Sequence, residues 1–532
     1  MTTEGPSPTK EASASAKPQS SYGKKTERHA TRRAFLAGTL TTLTAGWLYA
    51  GTERPARASV PAINDNPFTL GVASGYPTAS SVVLWTRLAL YPTQPDGGMP
   101  PAPIPVQWEV ATDENMRRVV QRGVEYATPE WAHSVHAEPQ GLEAGREYWY
   151  RFTACGVRSV VGRTRTTPAE GSSLARLKLA VASCQHYEQG YFTAYDHMIR
   201  DDLHLILHVG DYIYEGCGGG STVRSHSAPE ATTLDDYRAR YALYKTDANL
   251  AAAHAAYPWM VTWDDHEVSD DYAGESLSHP SVVKDFRARR RAAYKAYYEH
   301  MPLPKAAMHS DSHLRLYAQR TYGDLASIYM LDQRQFRSPE CHGQPRQAAG
   351  RTMLGAEQEA WLAQGLQSSG ARWNVLAQGT MMSHLVPDAE AATRYGADAW
   401  NGYPAARARL TESLAELKVR NPVVVSGDIH AFVVGGLNRV PEDFSSPFVA
   451  PEFVGSSVSS DAGTQGMDCL RRQNPNVQFA DNGHRGYLRF DITSKRMKVD
   501  LVALNSVKVR HSRTRTLASY AVEDGRPGAV AI

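Results

Sequence analysis

The chain has 532 residues, long enough for more than one folded core, and its 42% apolar and 21% charged content is that of a globular protein. Its formal charge of +2 includes residues 1–58, which carry nine Lys/Arg and four Asp/Glu; without them 48 basic and 51 acidic residues remain. So near-neutral a chain gives no electrostatic reason to expect nucleic acid or an anionic membrane as the main partner.

Residues 1–30 are rich in Ser, Pro, Thr and Lys without apolar periodicity and are expected to be disordered. Thr31-Arg32-Arg33-Ala34-Phe35-Leu36 then has the form of a twin-arginine export signal. The uncharged stretch Ala34–Thr52 is diluted by Thr and Gly, which suits a signal h-region better than a permanent span. Ala56-Arg57-Ala58 supplies an A-x-A cleavage pattern, so the expectation is export through the twin-arginine machinery, cleavage after Ala58 and no stable membrane span afterwards.

Residues 59–168 read as a small all-β domain. Ser81–Leu88, Val106–Ala111 and Glu147–Ala154 are β-rich runs between Pro/Gly turns, and in the last Tyr148, Tyr150 and Phe152 share one face. This spacing suggests a sandwich, closed by Val161–Pro168. Ala169–Ser173 reads as a linker. From residue 174 to 532 strands alternate with helices, as in an α/β domain with strands from two packed sheets. The expected strands are Leu177–Ser183, Leu203–Val209, Trp259–Trp263, Leu314–Thr321, Leu325–Leu331, Trp373–Ala377, Val423–Val425 and the hairpin Tyr487–Ile492 with Met497–Leu504. The expected helices are Tyr191–Asp202, Leu234–Tyr257, Ser281–His300, Ala356–Ser369 and Pro404–Val419. Arg287, Arg289, Arg290 and Arg291 read as a solvated face.

Four apolar strands end in chemistry-bearing residues: Ser183-Cys184-Gln185, Gly210-Asp211-Tyr212-Ile213-Tyr214-Glu215, Trp263-Asp264-Asp265-His266-Glu267 and Gly427-Asp428-Ile429-His430. Ligands in α/β proteins sit beyond the carboxyl ends of strands, so these four ends point to one site. Converging carboxylates raise one another's pKa unless cations neutralise them. Asp and neutral His suit divalent or trivalent ions, and thiolate with phenolate suits Fe(III). The five scattered cysteines, Cys155, Cys184, Cys217, Cys341 and Cys469, form no CxxC zinc pattern; up to two disulfides are compatible with their number.

The ordered series ASCQ, HVGDYIYE, WDDHE and SGDIH resembles the PhoD-like alkaline phosphatase D family of metallophosphoesterases. GVASG at Gly71–Gly75, VVLWTR at Val82–Arg87, PEFVGSS at Pro451–Ser457 and HRGY at His484–Tyr487 extend the resemblance from about Phe68 to about Leu504; Tyr76 stands where an acidic residue is more usual. The resemblance implies a four-layer β-sandwich flanked by helices, preceded by an immunoglobulin- or fibronectin-like domain. It also implies an Fe(III) and calcium centre held by Cys184, Asp211, Tyr214, Asp264, Asp265, Asp428 and His430, with Asp211 bridging and one of Asp264 and Asp265 facing the metals. His266 would protonate the leaving group of a phosphate mono- or diester attacked by a hydroxide held at the metals. Arg238 and Arg240 are candidate phosphate clamps, and Gln378 a candidate amide ligand. A phospholipase D-like diesterase shares this chemistry, whereas a cysteine hydrolase pairing Cys184 with His266 or His430 leaves the carboxylates unexplained. An exported binding protein with a vestigial catalytic domain is the non-enzymatic alternative.

Overall fold

Short apolar runs that end in Gly, Asp or Ser form parallel strands here, because only a strand buried on both faces can be apolar at every position. The computed structural model describes residues 65–219, 222–277, 284–310, 312–341, 344–386, 397–463 and 467–532. The extension, export signal and cleavage point lie outside them. The described residues belong to one unit, Val60–Ile532, and among them no helix is long and apolar enough to cross a membrane.

A ten-stranded sheet runs in the order Ala529–Ala531, Thr514–Glu523, Arg496–Leu504, Gly486–Thr493, Arg176–Ala182, Leu205–Val209, Pro258–Thr262, Val72–Gly75, Val83–Arg87, Ser134–Ala137. A seven-stranded sheet runs Ala318–Tyr322, Ala326–Met330, Trp373–Ala377, Pro422–Ser426, Phe448–Val454, Phe432–Asn438, Val477–Asp481. The period of two sorts the side chains between layers. Ile328, Met330, Val375, Ala377, Val423 and Val425 pack in the core that includes Leu179, Val181, Ile206 and Phe490 of the larger sheet. Tyr329, Leu331, Leu376 and Val424 turn the other way, against Leu362 and Leu366 of the helix Ala356–Ser368 and Leu410 and Leu414 of the helix Pro404–Glu416. Helices Thr193–Met198, Leu234–Lys245 and Ala248–Ala256 cover the larger sheet through Tyr195, Met198, Tyr244, Leu250 and Ala253. The result is the expected four layers.

The β region before residue 168 is joined to this architecture by hydrogen bonds. Val119–Ala127, Ile104–Ala111, Glu147–Ala154, Val157–Arg158 and Gly162–Arg165 form a separate antiparallel sheet. Its Val106, Val110, Tyr148, Tyr150 and Phe152 pack on Val72, Leu84, Val135 and Ala137 of the three strands that end the ten-stranded sheet. Val72–Gly75 pairs parallel with Pro258–Thr262. The sandwich therefore exists, but one of its two layers is the end of the larger sheet.

Local chemistry explains where other expectations differ. The expected helix Leu234–Tyr257 is two helices, because Asp247 accepts hydrogen bonds from the amides of Asn249 (3.0 Å) and Leu250 (3.2 Å) and starts a second one. Of the four arginines expected in solvent, Arg289 and Arg290 are buried. Arg289 donates to the Tyr237 hydroxyl (2.8 Å) and pairs with Glu230 (2.7 Å), and Arg290 donates to the Tyr294 hydroxyl (2.8 Å). Cys155, Cys184, Cys217 and Cys341 carry free thiols, so no disulfide forms among these four.

Lys245 is buried in the same layer, its ammonium 4.4 Å from the Trp85 ring centre and 5.4 Å from that of Tyr212. Desolvation pulls its pKa from 10.5 down to about 7. Between those values the unfolded chain holds a proton that the folded chain lacks, so this residue makes unfolding free energy rise with pH across the interval. Lys245→Met is expected to be more stable than the parent at about pH 7, with the advantage shrinking towards about pH 10. Urea unfolding of both proteins at the two ends of the interval measures the difference; a constant gap removes Lys245 as its cause.

Candidate metal centre

The parallel strands Arg176–Ala182, Leu205–Val209 and Pro258–Thr262 of one sheet and Ala326–Met330, Trp373–Ala377 and Pro422–Ser426 of the other all deliver loops to one end of the sandwich. The loops are tied together: the Cys184 amide donates to the Gly210 carbonyl (3.1 Å), and the Gln185 amide donates to that of Asp211 (3.1 Å). Gly210 has φ +116°, and a Cβ there would lie 2.5 Å from Cβ of Asp264. A side chain at Gly210 would push the first two motifs off the third. Cys184, Asp211, Asp428 and His430 all have left-handed backbones, with φ of +58°, +57°, +71° and +52°. Such conformations cost about 1–3 kcal/mol each outside glycine and cluster where function over-determines the geometry.

Donor atoms of Cys184, Asp211 and His430 lie within 4.8 Å of one another, and so do those of Asp211, Asp265 and His266. Asp211 belongs to both sets. The Tyr214 hydroxyl is 2.9 Å from Oδ2 of Asp211 and 3.0 Å from Nε2 of His430, and receives a hydrogen bond from Ser460 (2.9 Å). His430 donates through Nδ1 to the Asp461 carbonyl (2.8 Å), which leaves the Nε2 lone pair facing the cluster. Oδ1 of Asp211 is buried and has no hydrogen-bond partner among the described residues. Asp265, Asp270 and Asp271 make a further acidic set beside Asp265. Asp428 joins neither donor set and opens onto a small cleft shared with Asp271 and Asp398.

Burial pushes the Cys184, Asp211, Tyr214 and Asp428 acids well above their ordinary values, and neighbouring Asp211 adds to the effect on the thiol and phenol. It lowers His430 to about 4, so that ring is neutral. Asp265 is lowered against its burial, because the Arg334 guanidinium and the His266 ring face it. His266 is held above its usual value despite its burial by Asp265, Glu215 and Asp211. A thiol, a phenol and a carboxyl driven to protonate around an unpartnered carboxylate oxygen are a donor set that a cation would stabilise. The residues fit the expected metals: sulfur, phenolate, carboxylate and imidazole suit Fe(III), and the paired carboxylates of Asp211 and Asp265 in the other set suit a hard divalent ion.

The two adjacent acids divide. Asp265 faces the cluster, whereas Asp264 gives Oδ1 to Arg334 and enters neither donor set. The candidate clamps do not reach the centre. Arg238 forms a bidentate pair with buried Glu299 (2.7 and 2.6 Å), and Arg240 donates to the carbonyls of Tyr214, Glu215, Gly216 and Pro229. Their helix turns its buried face, with Tyr237, Tyr241 and Tyr244, towards the core, and both guanidinium groups are spent there. The Gln378 amide oxygen, the atom a metal would use, accepts from Gln333 (2.6 Å) and Trp400 (3.1 Å).

Other residues at the centre lie outside the expected ligand and catalytic set. Arg334 bridges Asp264, Asp265 and Asp398 (2.5, 3.3 and 2.5 Å). The Glu267 carboxylate accepts from the amides of Asp211, Tyr212 and Asp264 (3.1, 2.6 and 2.8 Å) and so locks two motifs together. His186, Glu188 and His226 also gather donor atoms. There the Tyr244 hydroxyl accepts two amide hydrogens, from Tyr187 and Tyr214, and gives its own to Nε2 of His226. Nδ1 of His226 then carries hydrogen and faces Glu188 at 3.6 Å, on a ring that burial lowers to about 4 and so keeps neutral.

A polar cavity of about 510 Å³ opens over the centre, lined by Tyr214, His266, His430, His186 and Cys217.

Comparison with known proteins agrees with this architecture. Residues 179–501 match the family PhoD-like phosphatase, and residues 54–168 match the PhoD-like phosphatase N-terminal domain. The chain is 43% identical over 488 residues to alkaline phosphatase D of Bacillus subtilis (strain 168), a match spanning 88% of this chain and 83% of that one. A solved structure of PhoD superposes with a TM-score of 0.84 at 42% identity, covering 89% of this chain and 93% of the other. The chain belongs to the PhoD-like phosphatase family.

Proposed function

We propose that the protein is an exported phosphoesterase of the alkaline phosphatase D type, hydrolysing phosphate mono- and diesters at an iron(III) and calcium centre. The observation that carries this reading is Asp211, whose carboxylate is common to two donor sets and keeps one buried oxygen without a partner. Cys184, Asp211, Tyr214 and His430 would hold the trivalent ion, and Asp211, Asp265 and Asp428 the divalent one. Bound there, the ions supply Lewis-acid stabilisation of a phosphoryl group and activation of water. The chain supplies the rest. His266 faces the open cavity and is the group placed to give a proton to a departing alkoxide. The fixed loops keep the donors at one spacing, so little reorganisation accompanies the reaction. The Arg32-Arg33 motif and Ala56-Arg57-Ala58 support export through the twin-arginine machinery.

Metal analysis of protein recovered after export, beside a panel of mono- and diesters, tests the proposal. Bound iron and calcium, a mature chain beginning at Ser59, hydrolysis of the panel and its loss on chelation are expected. Metal-free protein that hydrolyses esters and is inactivated by alkylation would overturn the reading in favour of a cysteine hydrolase.

A further inference from the structure

We propose that Glu215 is the positioning residue for His266, fixing which ring nitrogen carries the proton delivered to the leaving group. The inference rests on the phosphoesterase reading and extends it to a residue beyond the metal donors. Oε2 of Glu215 lies 2.8 Å from Nδ1 of His266, and Oε1 accepts the Asp270 amide at 2.7 Å. A carboxylate held by an amide on one oxygen can only accept on the other, so Nδ1 of His266 carries hydrogen. Nε2 is thereby assigned to the reaction side, 4.0 Å from Asp265 Oδ2 and 3.7 Å from Asp270 Oδ1.

The pair is built into the fold. Glu215 is buried, and its carbonyl accepts from Arg240 (2.8 Å) and from the Ala231 amide (2.9 Å). Arg240, an expected phosphate clamp, is instead the clip that holds this carboxylate's backbone. The His266 ring lies against that of Tyr214, with centroids 4.2 Å apart, so the phenol ring backs one of its faces. In the proton transfer, hydrogen leaves Nε2 of the imidazolium for the alkoxide oxygen as the phosphorus–oxygen bond breaks. The ring keeps hydrogen on Nδ1 and the Glu215 carboxylate stays ionised throughout.

Glu215→Gln isolates this role with almost no change of shape. Its amide offers one acceptor where two hydrogens, those of the Asp270 amide and of Nδ1, need one each. The test uses metal-loaded enzyme and compares an alkyl phosphate ester, a poor leaving group, with a dinitrophenyl ester, a good one. Glu215→Gln is expected to lower kcat for the alkyl ester by about 10–100-fold while leaving its KM and the dinitrophenyl rate within about threefold. His266→Ala is expected to show the same selectivity, and the double variant to be no slower than His266→Ala alone. Equal losses on both esters from Glu215→Gln, or losses that multiply in the double variant, would overturn the inference. Selectivity in His266→Ala without any in Glu215→Gln would overturn it while leaving the acid role of His266 intact. Absence of ester hydrolysis by the parent enzyme would instead sink the phosphoesterase reading. Glu215→Asp keeps a carboxylate and is expected to recover part of the alkyl-ester rate.

Discussion

Asp211→Asn is expected to lower kcat/KM for phosphate esters by about three orders of magnitude or more, and to reduce occupancy of both ion positions of the proposed centre together. The reason for a joint loss is positional. Cys184 and His430 share a donor set with Asp211 alone, and Asp265 and His266 share the other with it. Removing one negative charge from the common member weakens both sides of the centre. Asparagine keeps the shape, and its oxygen can still accept from Tyr214, which now does so at 2.9 Å. The backbone amide of residue 211 still donates to Glu267. The fold is therefore expected to survive, and a circular dichroism spectrum like the parent's separates lost chemistry from lost structure. Parent-like metal content in the variant would show that the shared carboxylate is not what joins the two sets.

The centre was legible because its donors lie where local sequence speaks loudest. An apolar run that stops at Gly-Asp or Ser-Cys marks a strand end, and four such ends in one α/β pattern have one place to meet. What the pattern does not contain is pairing across sequence distance. Arg334 and Asp398 are 64 residues apart and come together only when the loops after Ala326–Met330 and Trp373–Ala377 fold over the same end. Arg238 and Arg240 were legible as helical arginines near a motif, but whether a helix turns such residues to a site or to the core depends on its packing face. The tyrosines at 237, 241 and 244, on that same buried face, were the available clue. The run Arg287–Arg291 misled for a related reason: consecutive charges on a helix point in different directions, and two of them found a tyrosine hydroxyl inside.

Strand membership shows the same division between local and distant information. Alternation in Glu147–Ala154 identified a half-buried strand correctly. Nothing in Val72–Gly75 or Val83–Arg87 says which sheet receives it, because an all-buried strand has no free face to orient. Thr514–Glu523, whose exposed half is polar, gave no alternating signal at all, yet it pairs along the whole of Arg496–Leu504. Leu234–Tyr257 failed at a single residue: in an alanine-rich surrounding, Asp247 looks like one more helical position until its side chain is seen to cap the next helix.

Arg334→Met is expected to have the largest effect on stability. The guanidinium is fully buried and donates to Asp264 (2.5 Å), to both oxygens of Asp398 (2.5 and 2.7 Å) and to Asp265 (3.3 Å). Arg337 shares Asp398 at 2.7 Å but is not paired with Asp264 or Asp265. Methionine fills much of the volume and keeps the apolar contacts, so the change isolates the charge. Leaving buried carboxylates without their cation costs about 3–5 kcal/mol, far more than the pair contributes over an apolar replacement of both sides. Asp264 bears most of the cost: burial already holds its pKa up at about 6 with Arg334 in place, and without the guanidinium it rises further. Above about pH 6, where the parent's Asp264 has ionised, the variant's carboxyl still binds a proton in the folded state, so the defect deepens as pH rises from there and stops changing below it. Adding Asp264→Asn removes the stranded charge and is expected to restore part of the loss, which an effect of Arg334 on packing alone would not allow. Denaturant unfolding of the single and double variants at two pH values measures all three effects. A loss below about 1 kcal/mol would mean that another cation, from the solvent or from the metal centre, neutralises the acids as well as Arg334 does.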